Sequence, residues 1–181
     1  WRQGDGTAMP FADRTFDLVV CQQGLQFFPN RAAGVAEIRR VLVPGGRAVV
    51  AVWDSIDLHP VFKAMFGAVA SRIGAPLSAV AAPFSLASAD ELRKLFEGAR
   101  FADLKLRART AEVKFPSPDR FLELSIRGAA AVLPVFSKMS DDERNSMVRA
   151  ATGEVAPVLA KYRRGDSLVF PMTTHVVVAR V

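Results

Sequence analysis

With 181 residues, half of them hydrophobic, the chain is long enough to bury a core of its own and reads as one domain. Its 24 Lys and Arg outnumber 18 Asp and Glu for a net charge of +6, but the basic residues are scattered, which argues for a solvated basic surface and against a nucleic-acid patch. Cys21 is the sole cysteine, so an intrachain disulfide and a cysteine-based zinc site are excluded, and no run approaches the ~20 apolar residues of a membrane span; a reducing cytoplasm suits this pattern.

The first element is the apolar run "FDLVVC", residues 16 to 21. A second run without alternation, "RAVVAVW" at 47 to 53, has the same character, and both read as strands buried on two faces. Between them Asn30 is placed to cap a helix carrying Val35, Ile38 and Leu42, with Pro44-Gly45-Gly46 as its stop, so the three elements form a βαβ unit. After Trp53, residues 54 to 80 keep apolar positions at helical spacing (Val61, Met65, Val69, Ile73) and predict a helical insertion.

"SADELRKLFEG" carries a capping box, Ser88 with Glu91, and an apolar stripe of Leu92, Leu95 and Phe96. "ADLKLRART" alternates and predicts an edge strand. Ser117-Pro118 and a second box, Ser140 with Glu143, open helices within an insertion from 117 to 163, and "LVFPMTTHVVVARV" supplies a closing strand. The predicted fold is α/β, with a mostly parallel sheet, an antiparallel C-terminal strand and helical lids at about 54–80 and 117–163.

The opening stretch "GDGTAMPFADRTFDLVVC", followed by "EIRRVLVPGG" and a strand, resembles the second half of a class I S-adenosylmethionine-dependent methyltransferase. Within that family it is similar to the small-molecule enzymes that include ubiquinone and menaquinone methylases. The resemblance implies a Rossmann-like sheet, S-adenosylmethionine as cofactor, and methyl transfer to a small, partly apolar molecule, with no nucleic-acid partner. It assigns Asp5 and Gly6 to the adenine edge, the carboxylate accepting from the amino group and the backbone N–H donating to the ring. An ordinary Asp-Gly turn is the competing reading of that pair.

Cys21, Gln22 and Gln26 fall where the family's loop passes the amino-acid part of the cofactor, and Gln23, Trp53 and His59 on the side where the acceptor enters. Cys21 is read as acting by its backbone and small size, since no covalent step is needed. Gln26-Phe27 stands where many relatives carry His-His, so no general base is expected there. His59 fits an exposed loop histidine as well as a substrate contact, and His175 among valines reads as hydrogen-bonded and structural. Phe62, Phe66, Phe121 and Phe136 are candidates for a pocket wall, or for packing on one another.

The family's glycine-rich turn after its first strand, and the acidic residue that holds the ribose, have no counterpart in these residues. The 181 residues are therefore expected to hold the adenine half of a cofactor site and to be inactive alone, with an upstream extension of roughly 60 to 100 residues supplying the rest. Without it, strand 16 to 21 would be an open edge through which copies self-associate. A non-catalytic interaction or regulatory module on the same fold is the alternative from another class; an Asn/Asp-Pro-Pro-aromatic motif for nucleic-acid methylation and a G-x-G-x-x-G fingerprint for hydride transfer are both missing.

Overall fold

The computed structural model describes residues 1–130 and 139–181, which divide into two compact units. The first comprises 1–55, 82–110 and 173–181, and the second 56–81 and 111–172.

In the first unit, β1 (Phe16–Gln22) runs parallel to β2 (Leu42–Trp53), and α1 (Arg31–Val41) connects them. Asn30 caps α1 as its residue type requires, its Oδ1 accepting from Ala33 N–H at 2.9 Å. β2 pairs antiparallel with β5 (Ser167–Arg180), Val50 opposite Val177, and β5 neighbours β3 (Ala102–Phe115), giving the order β1-β2-β5-β3. The sheet is therefore mixed, and β3 takes an outer position, as its alternating pattern predicts.

One sheet face is packed under α1 and α4 (Ala89–Gly98). Val35, Ile38, Ala48, Val50, Val52, Leu92, Phe96 and Val177 form its core, with Cys21 and Phe28 against it. The opposite side chains of β1 are in water: Leu18 is 48% and Val20 61% exposed. β1 is the other outer strand of the order.

Two elements differ from their predicted bounds. β2 begins at Leu42, not Arg47, because Pro44-Gly45-Gly46 is taken into the strand as an irregularity rather than ending the helix. Phe16 pairs with Leu42 and Leu18 with Arg47, and Gly45, at φ +78, takes up the extra chain. The Ser88 box is half formed: Ser88 Oγ accepts from Glu91 N–H at 3.2 Å, while the Glu91 carboxylate goes to Arg31 at 2.8 Å.

The second unit is largely helical, with α2 (Pro60–Arg72), α3 (Leu77–Val80), α5 (Pro118–Ala130), α6 (Asp141–Tyr162) and the two-residue β4 (Arg163–Arg164), which pairs with the start of β5. Both halves of the capping box at Ser140 and Glu143 are present. Phe62, Phe121 and Phe170 pack edge to face, with centroids 5.3 to 6.0 Å apart. Phe66 and Phe115 extend the cluster. These rings fill the unit's own interior, so the pocket-wall reading of Phe62, Phe66 and Phe121 gives way to packing; Phe136 lies outside the described residues. No helix among the described residues is long and apolar enough to cross a membrane.

Candidate functional site

The Asp5-Gly6 turn is exposed and closed on itself. Asp5 Oδ1 accepts from the backbone N–H and the hydroxyl of Thr7, each at 2.8 Å, and Ala8 N–H donates to Asp5 O at 3.1 Å. The Thr7 bonds, the backbone one first, hold the Asp5 carboxyl below its ordinary range, so it stands as an anion at neutral pH. Its other oxygen and the N–H of Gly6 make no hydrogen bond among the described residues. A free acceptor beside a free donor matches an adenine edge, whose amino group donates and whose neighbouring ring nitrogen accepts.

Gly6 has a second reason to lack a side chain. A Cβ there would stand 2.3 Å from Phe28 Cζ, and one on Gly34 of α1 would stand 2.4 Å from Phe28 Cδ2. The Phe28 ring thus lies between two glycine backbones and ties the turn to the loop that follows β1.

In that loop Cys21 and Gln22 end the strand, opposite Val50 and Ala51. Burial pushes the Cys21 thiol up, against the N–H groups of Leu25 and Gly24, so it remains a neutral thiol rather than a nucleophile. Gln23 then leaves the strand in the left-handed region at φ 51, its N–H bound to Ala51 O at 2.9 Å. Such a conformation costs a non-glycine residue on the order of 1 kcal/mol and persists where surrounding bonds hold it. Gln23 Nε2 reaches Thr174 Oγ1 at 3.3 Å and Gln26 Nε2 reaches Gln23 Oε1 at 3.4 Å. Trp53 pairs with Thr174 across the β2–β5 ladder.

Gln23, Gln26 and Trp53 are therefore brought together at the carboxyl ends of β1 and β2. Gln26 is only 4% exposed, and its Oε1 has no partner. Its backbone oxygen accepts from Ser85 Oγ at 3.1 Å and Arg31 Nη2 at 3.3 Å.

His59 belongs to the second unit and immediately precedes α2, its N–H bound to Ile56 O and its own O accepting from Lys63 N–H. It is 1% exposed, which corrects the reading of it as an exposed loop histidine. His175 is hydrogen-bonded as its setting predicts, with Nε2 3.0 Å from Ala87 O. A groove of about 800 Å³ between α1 and α4, lined by Ala32, Ala36, Glu91 and Leu95, contains none of the expected site residues. No group of His, Cys, Asp and Glu among the described residues is arranged to hold a metal ion.

Residues 1–50 match the methyltransferase domain family. Over that stretch the chain is similar to the class I S-adenosylmethionine-dependent methyltransferases. The chain is 46% identical over 63 residues to the demethylmenaquinone methyltransferase of Corynebacterium kroppenstedtii, covering 35% of this chain and 27% of that protein. It is 30% identical over 122 residues to that of Staphylococcus aureus strain JH9, covering 61% and 50%. The chain thus spans between about a quarter and half the length of these curated relatives.

Among solved Rossmann-like methyltransferase structures, the BH2331 protein of Bacillus halodurans C-125 superposes over 99% of this chain and 76% of its own, with TM-score 0.54 and 19% identity. The YcgJ protein of Bacillus subtilis gives 0.56 and 17%, over 99% and 69%. Both share the fold.

Sequence reading missed three parts of this candidate site. The Phe28 wedge depends on contacts between residues 22 and 6 positions apart from it along the chain. Thr174, which Gln23 meets, comes from the far end of the sequence. Glu37 and Arg40, which grip the loop after Gly6, were readable as an i, i+3 charge pair on the polar face of a helix, though their target was not.

Proposed function

We propose that this chain forms the adenine-reading and acceptor-side portion of an S-adenosylmethionine-dependent methyltransferase that acts on a small, partly apolar, quinone-like molecule. The observation that carries the reading is the unused carboxylate oxygen of Asp5 beside the unused N–H of Gly6, within the stretch that matches the methyltransferase family. The cofactor supplies an electrophilic methyl group on a sulfonium. Asp5 and Gly6 would hold its adenine, and transfer of the methyl group to an acceptor lone pair would return the carbon–sulfur electron pair to sulfur.

Such an in-line displacement needs alignment and exclusion of water more than a base, and positioning can supply about 7 to 11 kcal/mol of the barrier. Gln23 and Trp53, at the carboxyl ends of β1 and β2, are suited to orienting an acceptor, and Gln26 to the amino-acid part of the cofactor. The names of the curated relatives support a quinone-like substrate. We further propose a cytoplasmic protein of one domain with helical insertions at about 54–80 and 117–163, which would self-associate through the edge of β1 where no other strand covers it.

The test is calorimetric titration of the natural-length protein with S-adenosylhomocysteine, beside the Asp5→Ala variant. Binding should weaken by about tenfold or more on losing the charged acceptor. Equal affinity would take Asp5 out of the site, and no binding by either protein would favour a non-catalytic module.

A further inference from the structure

Gly34, Glu37 and Arg40 follow one another at intervals of three and share a face of α1. We infer that this stripe is a positioning device for the adenine-reading turn, fixing Asp5 and Gly6 from two sides. The inference rests on the adenine reading above and concerns how that reading is made selective.

The first anchor runs through the loop. Glu37 Oε2 accepts from Met9 N–H at 2.7 Å, and the same carboxylate takes two bonds from Arg40, Nε at 2.7 Å and Nη2 at 2.8 Å. Arg40 turns its remaining donors to Met9 O at 3.0 Å, Phe11 O at 2.8 Å and Asp13 Oδ1 at 2.7 Å. Backbone bonds from Arg14 N–H to Arg40 O and from Thr15 N–H to Val41 O complete the seam. The loop from 9 to 15 is thus laid along the helix, and Ala8, bonded to Asp5 O, passes that constraint to the turn.

The second anchor is the Phe28 ring, seated on Gly34 and pressed on Gly6. Between the two, the Asp5 carboxylate and the Gly6 N–H have little freedom to separate.

Stability alone is a weak reason for so many bonds. Arg40 and Asp13 are 30% and 71% exposed, and exposed ion pairs contribute little to folding. A guanidinium that grips two backbone carbonyls and two carboxylates in a planar fork instead specifies geometry. An adenine edge requires that, since a donor and an acceptor misplaced by about 1 Å no longer match it.

The experiment compares S-adenosylhomocysteine with its inosine counterpart, whose six-position oxygen and ring N–H reverse both hydrogen bonds. Each is titrated into the natural-length protein and into the Arg40→Met and Glu37→Gln variants. The wild type should prefer the adenine ligand by about tenfold or more, and Arg40→Met should cut the preference to about threefold or less, with Glu37→Gln between them. A merely structural role lowers both affinities alike, so an unchanged preference in Arg40→Met overturns the inference. Should Arg40→Met fail to fold, Glu37→Gln decides by the same ratio. A wild type that binds both ligands equally removes the adenine reading itself, and this inference with it.

Discussion

The ring of Phe28 rests on the backbone of Gly6, so close that a Cβ at Gly6 would fall 2.3 Å from Phe28 Cζ. A Cβ at Gly34 would fall 2.4 Å from Phe28 Cδ2, so the same ring also sits against the backbone of α1. A glycine within a helix normally costs about 1 kcal/mol relative to alanine, whereas forcing a methyl group into a packed contact costs about 1 to 3 kcal/mol. The clash wins here. Gly34→Ala should lower unfolding free energy by about 1 to 2 kcal/mol in the wild type and raise it by up to about 1 kcal/mol when Phe28 is already Leu. Urea unfolding of the four proteins measures the cycle, and equal effects in both backgrounds would show that the ring is not wedged.

Glu37 supplies a pH-dependent part of stability. The hydrogen bonds from Arg40 are the main influence holding its carboxyl below the ordinary value near 4.5; Met9 N–H adds to them and burial opposes. The folded protein therefore binds this proton less readily than the unfolded chain. The resulting stabilisation is complete above the ordinary value and disappears as pH falls through the lower folded value. Thermal midpoints followed from about pH 6 to 3 should fall more steeply for the wild type than for Glu37→Gln. Parallel curves would mean that the carboxylate is not gripped as described. Asp5 and Glu143 also titrate low, but they are common to both proteins and cancel in the difference.

Local signals account for what could be read in advance. Asn30, Ser88 and Ser140 cap the helices they announce, because a cap is decided within three residues of chain. The apolar runs at 16 and 47 become the parallel pair. What failed was settled by distant groups: Glu91 leaves its own cap for Arg31, 60 positions away in sequence. Pro44-Gly45-Gly46 punctuates a helix in sequence but in space is drawn into β2 by pairing with Phe16. The same division holds in the site. Asp5-Gly6 is a local motif, whereas the grip of α1 on it arises only once Glu37 is folded against Met9.

His175 is a buried imidazole held on one side only. Nε2 lies 3.0 Å from Ala87 O and 3.3 Å from Asp54 Oδ1, and both are acceptors, so Nε2 carries the hydrogen. Nδ1 is buried with no partner. An unsatisfied buried acceptor costs about 1 to 3 kcal/mol, and the hydrogen bond to Ala87 O contributes about 0.5 to 1.5 kcal/mol. His175→Phe fills similar space, relieves the first and forfeits the second, which ties Ala87 to β5, together with the 3.3 Å contact to Asp54. Asp54 keeps the Ser55 N–H at 2.6 Å, which softens its loss. Leaving Ala87 O and the Asp54 carboxylate without that N–H outweighs the relief at Nδ1, so the variant should be less stable by about 1 kcal/mol in chemical unfolding. Nitrogen-15 NMR of the ring should report the Nε2–H tautomer, and an Nδ1–H ring would contradict the assigned partners. If His175→Phe instead raised stability, the imidazole would be a group the fold tolerates at a cost, and its role would have to be sought in ligand chemistry rather than in packing.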